Sequence, residues 1–415
     1  MTSFLFTNFT PAQKTYNSYI HLRLRYQDLW PTQLTTGRRF KTFNQLTIVN
    51  RTQTKKINST VFSQSKLPAA ADFHVHLRDG KMMETVVPTV RMGGVNTVYV
   101  MPNLVPPITT VSAALAYKER LQAIDPKVKY LMTLYLHESI TPETVREAKK
   151  AGIVGIKSYP AGVTTNSSSG VLSYEPFYPV FAAMQEEGLV LNLHGECPSD
   201  HKKDITILNA EASFLPTLQS LHRKFPSLKI VLEHCTTAAA IQAVKECGPT
   251  VVGTLTAHHL FLTIDQWADD AFHFCKPVAK LPSDRAALLR AAVHDADKFF
   301  LGTDSAPHDI SKKKGGSGKT AAGVFTQAHA VGHVLTALEQ GIEMGVLSSE
   351  DVTVEVLEGF LGKRGRAFYG FLGEGEGERI VLRKGDEVVR ASFKGDGVEI
   401  VPFWRGQKIW SVEWR

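Results

Sequence analysis

The chain has 415 residues, 43% hydrophobic and 21% charged, enough for one large barrel or two domains, and its apolar runs fall well short of the roughly 20 residues that span a bilayer. The net charge of +7 is concentrated at one end: residues 1–70 hold ten Lys or Arg and one acid, Asp28, while the other 345 carry 37 basic and 39 acidic residues. A near-neutral body excludes a broad nucleic-acid face, and four singly spaced cysteines, Cys197, Cys235, Cys247 and Cys275, exclude a zinc finger or a secreted disulfide scaffold and suit a reducing compartment.

Taken in order, residues 1–67 are rich in Ser and Thr, poor in acids and without sustained periodicity. Such a segment reads as a targeting peptide, a disordered extension or sequence from upstream of the true start, and composition does not separate the three. The first patterned stretch is "ADFHVHLRDG", residues 71–80. As a strand, its period of two puts His74 and His76 on one face and Phe73, Val75 and Leu77 on the other, with Arg78 on the histidine side if the strand continues. Two imidazoles so placed can reach one metal ion. Alternate histidines are also common on a partly buried strand edge, so this spacing alone decides little.

Seven further β-branched runs follow, at 95–103, 129–137, 152–160, 189–196, 228–236, 250–259 and 298–308. Between them lie amphipathic stretches such as "TVSAALAYKERLQAI", "TPETVREAKKAG", "YPVFAAMQEEG", "FLPTLQSLHRKF", "AAAIQAVKECG" and "DRAALLRAAVHDA", several opened by Ser, Thr or Asp or closed by Gly. Eight strand-then-helix units predict an α/β fold of the (β/α)8 TIM-barrel type over 68–370, with a doubly wound open sheet as the competing architecture. "EGFLGKRGRAFYG" predicts a helix near the end of the barrel, and 371–415 an extension with short strands whose aromatic residues cover it or form an interaction surface.

Most of these runs begin apolar and finish on a residue capable of chemistry: His74 and His76, Asn103, Lys157, His194, His234, then Asp304 and His308. A barrel gathers its C-terminal strand ends at one mouth, so residues more than 200 positions apart become neighbours. Singly, each has a plain structural explanation. Their recurrence at successive strand ends points to a single site.

The ordered series "FHVHLRDG", "MPNLVPPITT", "IKSYPAGVTTNSSSG", "LNLHGE", "LEHCT", "TAHHLFLT", "FCKPVAKLPSDR" and "GTDSAPH" resembles the short, free-standing dihydroorotases of bacteria, fungi and plants, a branch of the amidohydrolase superfamily. The resemblance implies two Zn²⁺ ions, one held by His74, His76 and Asp304, the other by His194 and His234, with Lys157 carboxylated by CO2 and bridging both. It also implies a bridging hydroxide as nucleophile, with Asp304 as general base. Arg78, Asn103 and His308 would recognise the substrate carboxylate, Thr164 and Thr165 would close over it from a flap, and the main chain at Lys276 and Ala322 would touch the ring. The activity so implied is reversible closure of N-carbamoyl-L-aspartate to L-dihydroorotate in pyrimidine biosynthesis, by a cytoplasmic homodimer without nucleic-acid or membrane partners; organelle targeting by the basic leader stays open. Burial favours the neutral amine that captures CO2, and a planar guanidinium grips a carboxylate through two hydrogen bonds. Competing readings are a hydantoinase, dihydropyrimidinase or allantoinase, whose neutral rings give Arg78 nothing to bind, and a non-catalytic barrel scaffold, which loss of ligands would favour.

Two signals are set aside. "KKKGGSGKT", 312–320, lacks phosphate-loop spacing because Lys313 stands where glycine is needed, and it reads as a flexible loop at the rim of the site that departs from the family's composition. His258 and His259 read as structural or supporting residues rather than ligands.

Overall fold

The computed structural model describes residues 63–295, 297–314, 320–385 and 387–415, so the readings of the N-terminal leader fall almost wholly outside the described residues. Eight strands, β1 (Ala70–Val75), β2 (Val95–Val100), β3 (Lys129–Tyr135), β4 (Gly155–Ser158), β5 (Val190–His194), β6 (Ile230–Glu233), β7 (Val251–Leu255) and β8 (Phe299–Leu301), form one parallel sheet in sequence order. The sheet closes on itself. Asp304 N–H donates to the His74 carbonyl at 2.9 Å, and His76 N–H donates to the Ser305 carbonyl at 3.0 Å, joining the chain beyond β8 to β1. This is the (β/α)8 barrel that the alternating pattern predicts.

The helices form where their ends are marked. The side chains of Thr110, Thr141 and Thr237 accept backbone N–H groups at the starts of Val111–Ile124, Pro142–Lys150 and Ala238–Glu246. The helix expected from Phe214 begins earlier, at Ala210, and carries Pro216 inside. Its first turn is anchored from outside: the buried Glu211 carboxylate accepts Thr236 N–H at 2.8 Å and the Thr237 hydroxyl.

Inside the barrel, side chains step upward every second residue, as in Val190, Asn192 and His194 on β5, or Val231 and Glu233 on β6. The lowest layer is apolar, Asn192 stands one step above it, and the top layer is polar. In β1 the expected alternation fails at one point: Phe73 does not share a face with Val75 but joins Ala71 in the barrel interior, while Val75 packs in the outer layer. The pairing of β1 with β2 shifts register between Asp72 and Val75, and such a bulge turns consecutive side chains inward. The floor is sealed by Tyr369, whose ring stacks on Phe73 with centroids 5.1 Å apart. Tyr369 ends a continuous winding, Val354–Glu358, a π-helical Gly359–Lys363, and Arg364–Tyr369, where one helix is predicted. Beyond it, Arg379–Arg383 pairs antiparallel with Lys66–Pro68 and with Ser411–Trp414. Among the described residues no helix is long and apolar enough to cross a membrane.

Candidate active site

The polar top layer lies at the C-terminal ends of the strands. His74 stands within β1 and His76 just beyond it; Lys157 lies in β4, His194 ends β5, His234 follows β6, and Asp304 lies three residues past β8. All six are buried. The chain bends sharply to place them: His234, Asp304 and Arg78 adopt left-handed backbone with φ of 44°, 48° and 62°, a conformation that side-chain-bearing residues rarely take. Gly302 lets the segment before Asp304 approach, since a Cβ there would lie 2.8 Å from Thr254 and 3.1 Å from the His74 Cβ.

The outward nitrogen of each of three histidines is tied down. His74 Nδ1 donates to Glu233 Oε2 at 2.8 Å, His76 Nδ1 lies 2.8 Å from Asn103 Oδ1, and His194 Nε2 donates to Glu196 Oε2 at 2.7 Å. A carboxylate or amide oxygen only accepts, so in a neutral ring the proton sits on the tied nitrogen and the other nitrogen is left to bind a cation. His74 Nε2 and His76 Nε2 accordingly face Asp304 Oδ1 at 3.3 Å and 3.0 Å. The His234 ring lies with its centroid 4.7 Å from that of His194 and 5.2 Å from that of His74, and its Nδ1 has no hydrogen-bond partner.

Charge states are set by burial. It brings His76 down to about 4 and holds His194, and more strongly His234, below the ordinary imidazole range, so these three rings are neutral. Burial would raise the Asp304 carboxyl, but His74 and His76 beside it hold it well below the usual range, and it is ionised. Two imidazole nitrogens and a carboxylate oxygen thus face one another, all within 4.8 Å. Such a set of ligand atoms fits a cation. Beneath it the Lys157 ammonium is fully buried without a hydrogen-bond partner, and burial draws it down to about 8 against the opposing pull of Glu233 and Asp304. A buried amine without a partner, beside a cation site, fits conversion to an anionic ligand. The residues present therefore fit a metal cofactor.

Above this layer sits a cavity lined by His74, His76, Arg78, Asn103, His194, His234 and Asp304 below, and by Thr164, Thr165, Lys276 and Ala322 above. Lys157 lies under its floor and His308 beside it. Arg78 does not lie on a continuing strand, because β1 stops at Val75. A loop instead turns its Nε to the Pro307 carbonyl at 2.9 Å and its Nη2 to within 3.2 Å of His308 Nε2. Asn103 joins the two halves: its Nδ2 donates to the Thr165 carbonyl at 3.2 Å, and Asn166 Nδ2 donates to the Asn103 carbonyl at 2.8 Å. Thr165 Oγ1 reaches the Ala322 carbonyl at 3.2 Å and Lys276 Nζ the Val163 carbonyl at 2.7 Å, so the glycine-bounded segment 162–170 lies across the cavity.

All thirteen residues singled out from the sequence therefore cluster around one mouth. Sequence reasoning missed Glu233 and Glu196, which orient His74 and His194; each is an acid directly beside or two residues past a strand-end histidine, which is the signal that could have found them. His258 has no hydrogen-bond partner on either ring nitrogen, while His259 is held by Thr256 and the Pro277 carbonyl. The run 312–320 lies partly outside the described residues. Its described beginning lies in a helical turn, Ile310–Lys313, whose Lys313 is buried, where a flexible rim loop is expected.

Comparison with known proteins decides the family. The amidohydrolase family model matches residues 102–371. A probable dihydroorotase of Schizosaccharomyces pombe is 51% identical over 84% of this chain and 99% of its own length. The chain belongs to the dihydroorotase family. The crystal structure of the Saccharomyces cerevisiae dihydroorotase in complex with 5-fluoroorotic acid, 45% identical, superposes with a TM-score of 0.78 over 85% of this chain and 98% of that one. The L-hydantoinase of Arthrobacter aurescens shares the fold alone, at 16% identity and a TM-score of 0.67 over 84% of this chain and 87% of that one. Membership of that family implies a metal cofactor, and His74, His76 and Asp304 form a group able to hold a metal ion.

Proposed function

We propose that the chain catalyses the reversible cyclisation of N-carbamoyl-L-aspartate to L-dihydroorotate and water at a centre of two Zn²⁺ ions. His74, His76 and Asp304 would hold one ion and His194 and His234 the other, with Lys157, carboxylated on Nζ by CO2, as the shared ligand. The observation that carries this reading is the convergence of the inward nitrogens of His74 and His76 on the Asp304 carboxylate, beside a buried, partnerless Lys157. When bound, the metal pair supplies an activated water nucleophile at neutral pH and polarises the ring carbonyl.

The chain's own residues do the rest. Glu233, Glu196 and Asn103 hold three imidazoles in the ligating tautomer. Asp304, held ionised, takes the proton of the attacking water in ring opening and passes it to the departing ring nitrogen; in closure it moves that proton back. Arg78 remains cationic although burial draws it down to about 10, and with Asn103 and His308 it binds the exocyclic carboxylate. Those residues favour dihydroorotate over neutral rings. Thr164 and Thr165 donate hydrogen bonds from the closed flap and exclude water, and the main chain at Lys276 and Ala322 contacts the ring. In the same reading 68–370 form the catalytic body and 371–415 an extension packed on it, and the enzyme works as a cytoplasmic homodimer, with organelle targeting by the leader left to experiment.

The test is an assay of both directions of the reaction on the native chain and on Lys157→Ala, with bound metal counted in each. Turnover of dihydroorotate with about two metal ions per native chain, and its loss in the variant, is the expected result. Unchanged turnover in Lys157→Ala would overturn the mechanism, and turnover of uncharged rings alone would select a hydantoinase-like activity.

A further inference from the structure

We infer that Lys313 is a positioning residue, whose ammonium group holds from behind the two main-chain segments, 274–277 and 321–323, that wall the substrate cavity at Lys276 and Ala322. This rests on the reading of that cavity as the ring-binding site. Lys313 ends the helical turn Ile310–Lys313 and is 3% exposed, whereas its neighbours Lys312 and Lys314 are exposed. Its Nζ donates to the Phe274 carbonyl at 2.9 Å, the Ala321 carbonyl at 2.9 Å and the Gly323 carbonyl at 2.8 Å. An ammonium has three hydrogens, and each is used by a main-chain acceptor.

Ala321 and Gly323 flank Ala322, Gly323 itself also lining the cavity, and Phe274 lies two residues before Lys276. On the second segment the peptide groups alternate. The carbonyls of Ala321 and Gly323 turn to Lys313, while that of Ala322 between them turns the other way, accepting from Thr165 Oγ1 at 3.2 Å and lying 2.9 Å from His308 Nε2. Gly323 N–H donates to the Phe274 carbonyl at 3.0 Å and Ala321 N–H to the Lys312 carbonyl at 3.0 Å, so the face away from the cavity is fully bonded. The segment also runs tight against its other neighbour, since a Cβ on Gly323 would meet the Ala306 carbonyl oxygen at 2.4 Å. With 321 and 323 fixed outward, the peptide groups of Ala322 have one direction left, which is toward the ring.

A lysine suits this position better than an arginine. Three carbonyls arranged around a point match the tetrahedral ammonium, and a planar guanidinium fork does not. The basic run that resists a phosphate-loop reading thereby acquires a use, as a strut behind the recognition wall.

The test compares the native metal-loaded enzyme with Lys313→Met, which keeps the length and loses all three donors, and with Lys313→Gln, which keeps an N–H2 group. The readouts are KM and kcat for L-dihydroorotate, the dissociation constant of 5-fluoroorotate by calorimetry, and metal content. We expect KM and the dissociation constant to rise about tenfold in Lys313→Met and less in Lys313→Gln, with metal content native and kcat within about threefold. Native KM and ligand affinity in a folded variant would overturn the inference, as would a fall in kcat that tracks metal loss. Failure of both variants to fold would assign Lys313 to stability and equally overturn it. A native enzyme inactive on dihydroorotate would instead refute the reading of the cavity, before any variant is compared.

Discussion

Glu233→Gln removes one negative charge from under His74 while preserving shape, and the bonds around the carboxylate determine its effect. The carboxylate accepts three hydrogen bonds, from His74 Nδ1 at 2.8 Å and Thr254 Oγ1 at 2.6 Å on one oxygen and from Asn192 Nδ2 at 2.7 Å on the other. Burial alone would raise this carboxyl, yet His74, Lys157 and Thr254 together hold it below its ordinary value, so it is ionised and only accepts. Asn192 is itself held, since its Oδ1 accepts from Tyr99 Oη at 2.7 Å and its Nδ2 also donates to Tyr369 Oη at 2.7 Å. The amide of a glutamine therefore keeps its oxygen toward Asn192 and turns its N–H2 toward Thr254 and His74. His74 must then accept at Nδ1, which moves its proton to Nε2 and removes the lone pair that faces Asp304. A buried hydrogen bond to a charged group is worth roughly 1.5–3 kcal/mol, and loss of such a partner weakens metal binding roughly 10- to 100-fold. Chelator-competition titration of the reconstituted proteins measures this, with kcat as a second readout and thermal unfolding of the metal-free forms as the control for folding. Native metal affinity in a folded Glu233→Gln variant would refute the tautomer argument.

Three other outcomes are expected. Burial draws Lys157 down to about 8, so its amine is protonated below that pH and neutral above it; metal-dependent reactivation of CO2-depleted protein at fixed dissolved CO2 should speed up as pH rises through about 8, and a rate independent of pH would contradict carbamate formation on this amine. Arg78→Lys replaces a fork with a point charge and should raise KM for dihydroorotate about tenfold or more while leaving hydrolysis of an uncharged hydantoin unaffected, and equal effects on both would remove Arg78 from carboxylate recognition. Phe73→Ala empties the barrel floor between Tyr369 and Phe300 and should lower stability by about 3–5 kcal/mol in denaturant unfolding, whereas a loss below about 1 kcal/mol would mean the floor repacks.

The barrel is legible because its signal is repeated: eight apolar runs of strand length alternate with amphipathic stretches whose Thr caps sit where the helices begin. The metal-ligand candidates are legible for a related reason. A parallel strand buried on both faces has no local use for a terminal histidine or lysine, so polar strand ends stand out against their own runs. What the sequence hides is geometry that no period encodes. The inward turn of Phe73 depends on a register shift in β1, and the direction of Arg78 depends on a left-handed residue after the strand has ended. Glu233 and Glu196 are hidden behind more conspicuous histidines. Lys313 is hidden in a basic run whose composition suggests a solvated loop, because only the fold brings the Phe274 carbonyl to it.

Whether two metal ions flank Lys157 is decided by diffraction from crystals of the native chain at the zinc absorption edge. Two anomalous peaks are expected, one among His74, His76 and Asp304 and one between His194 and His234, with density for a carbamate on Lys157 Nζ between them. A single peak, or two peaks with an unmodified Lys157, would contradict the proposed centre.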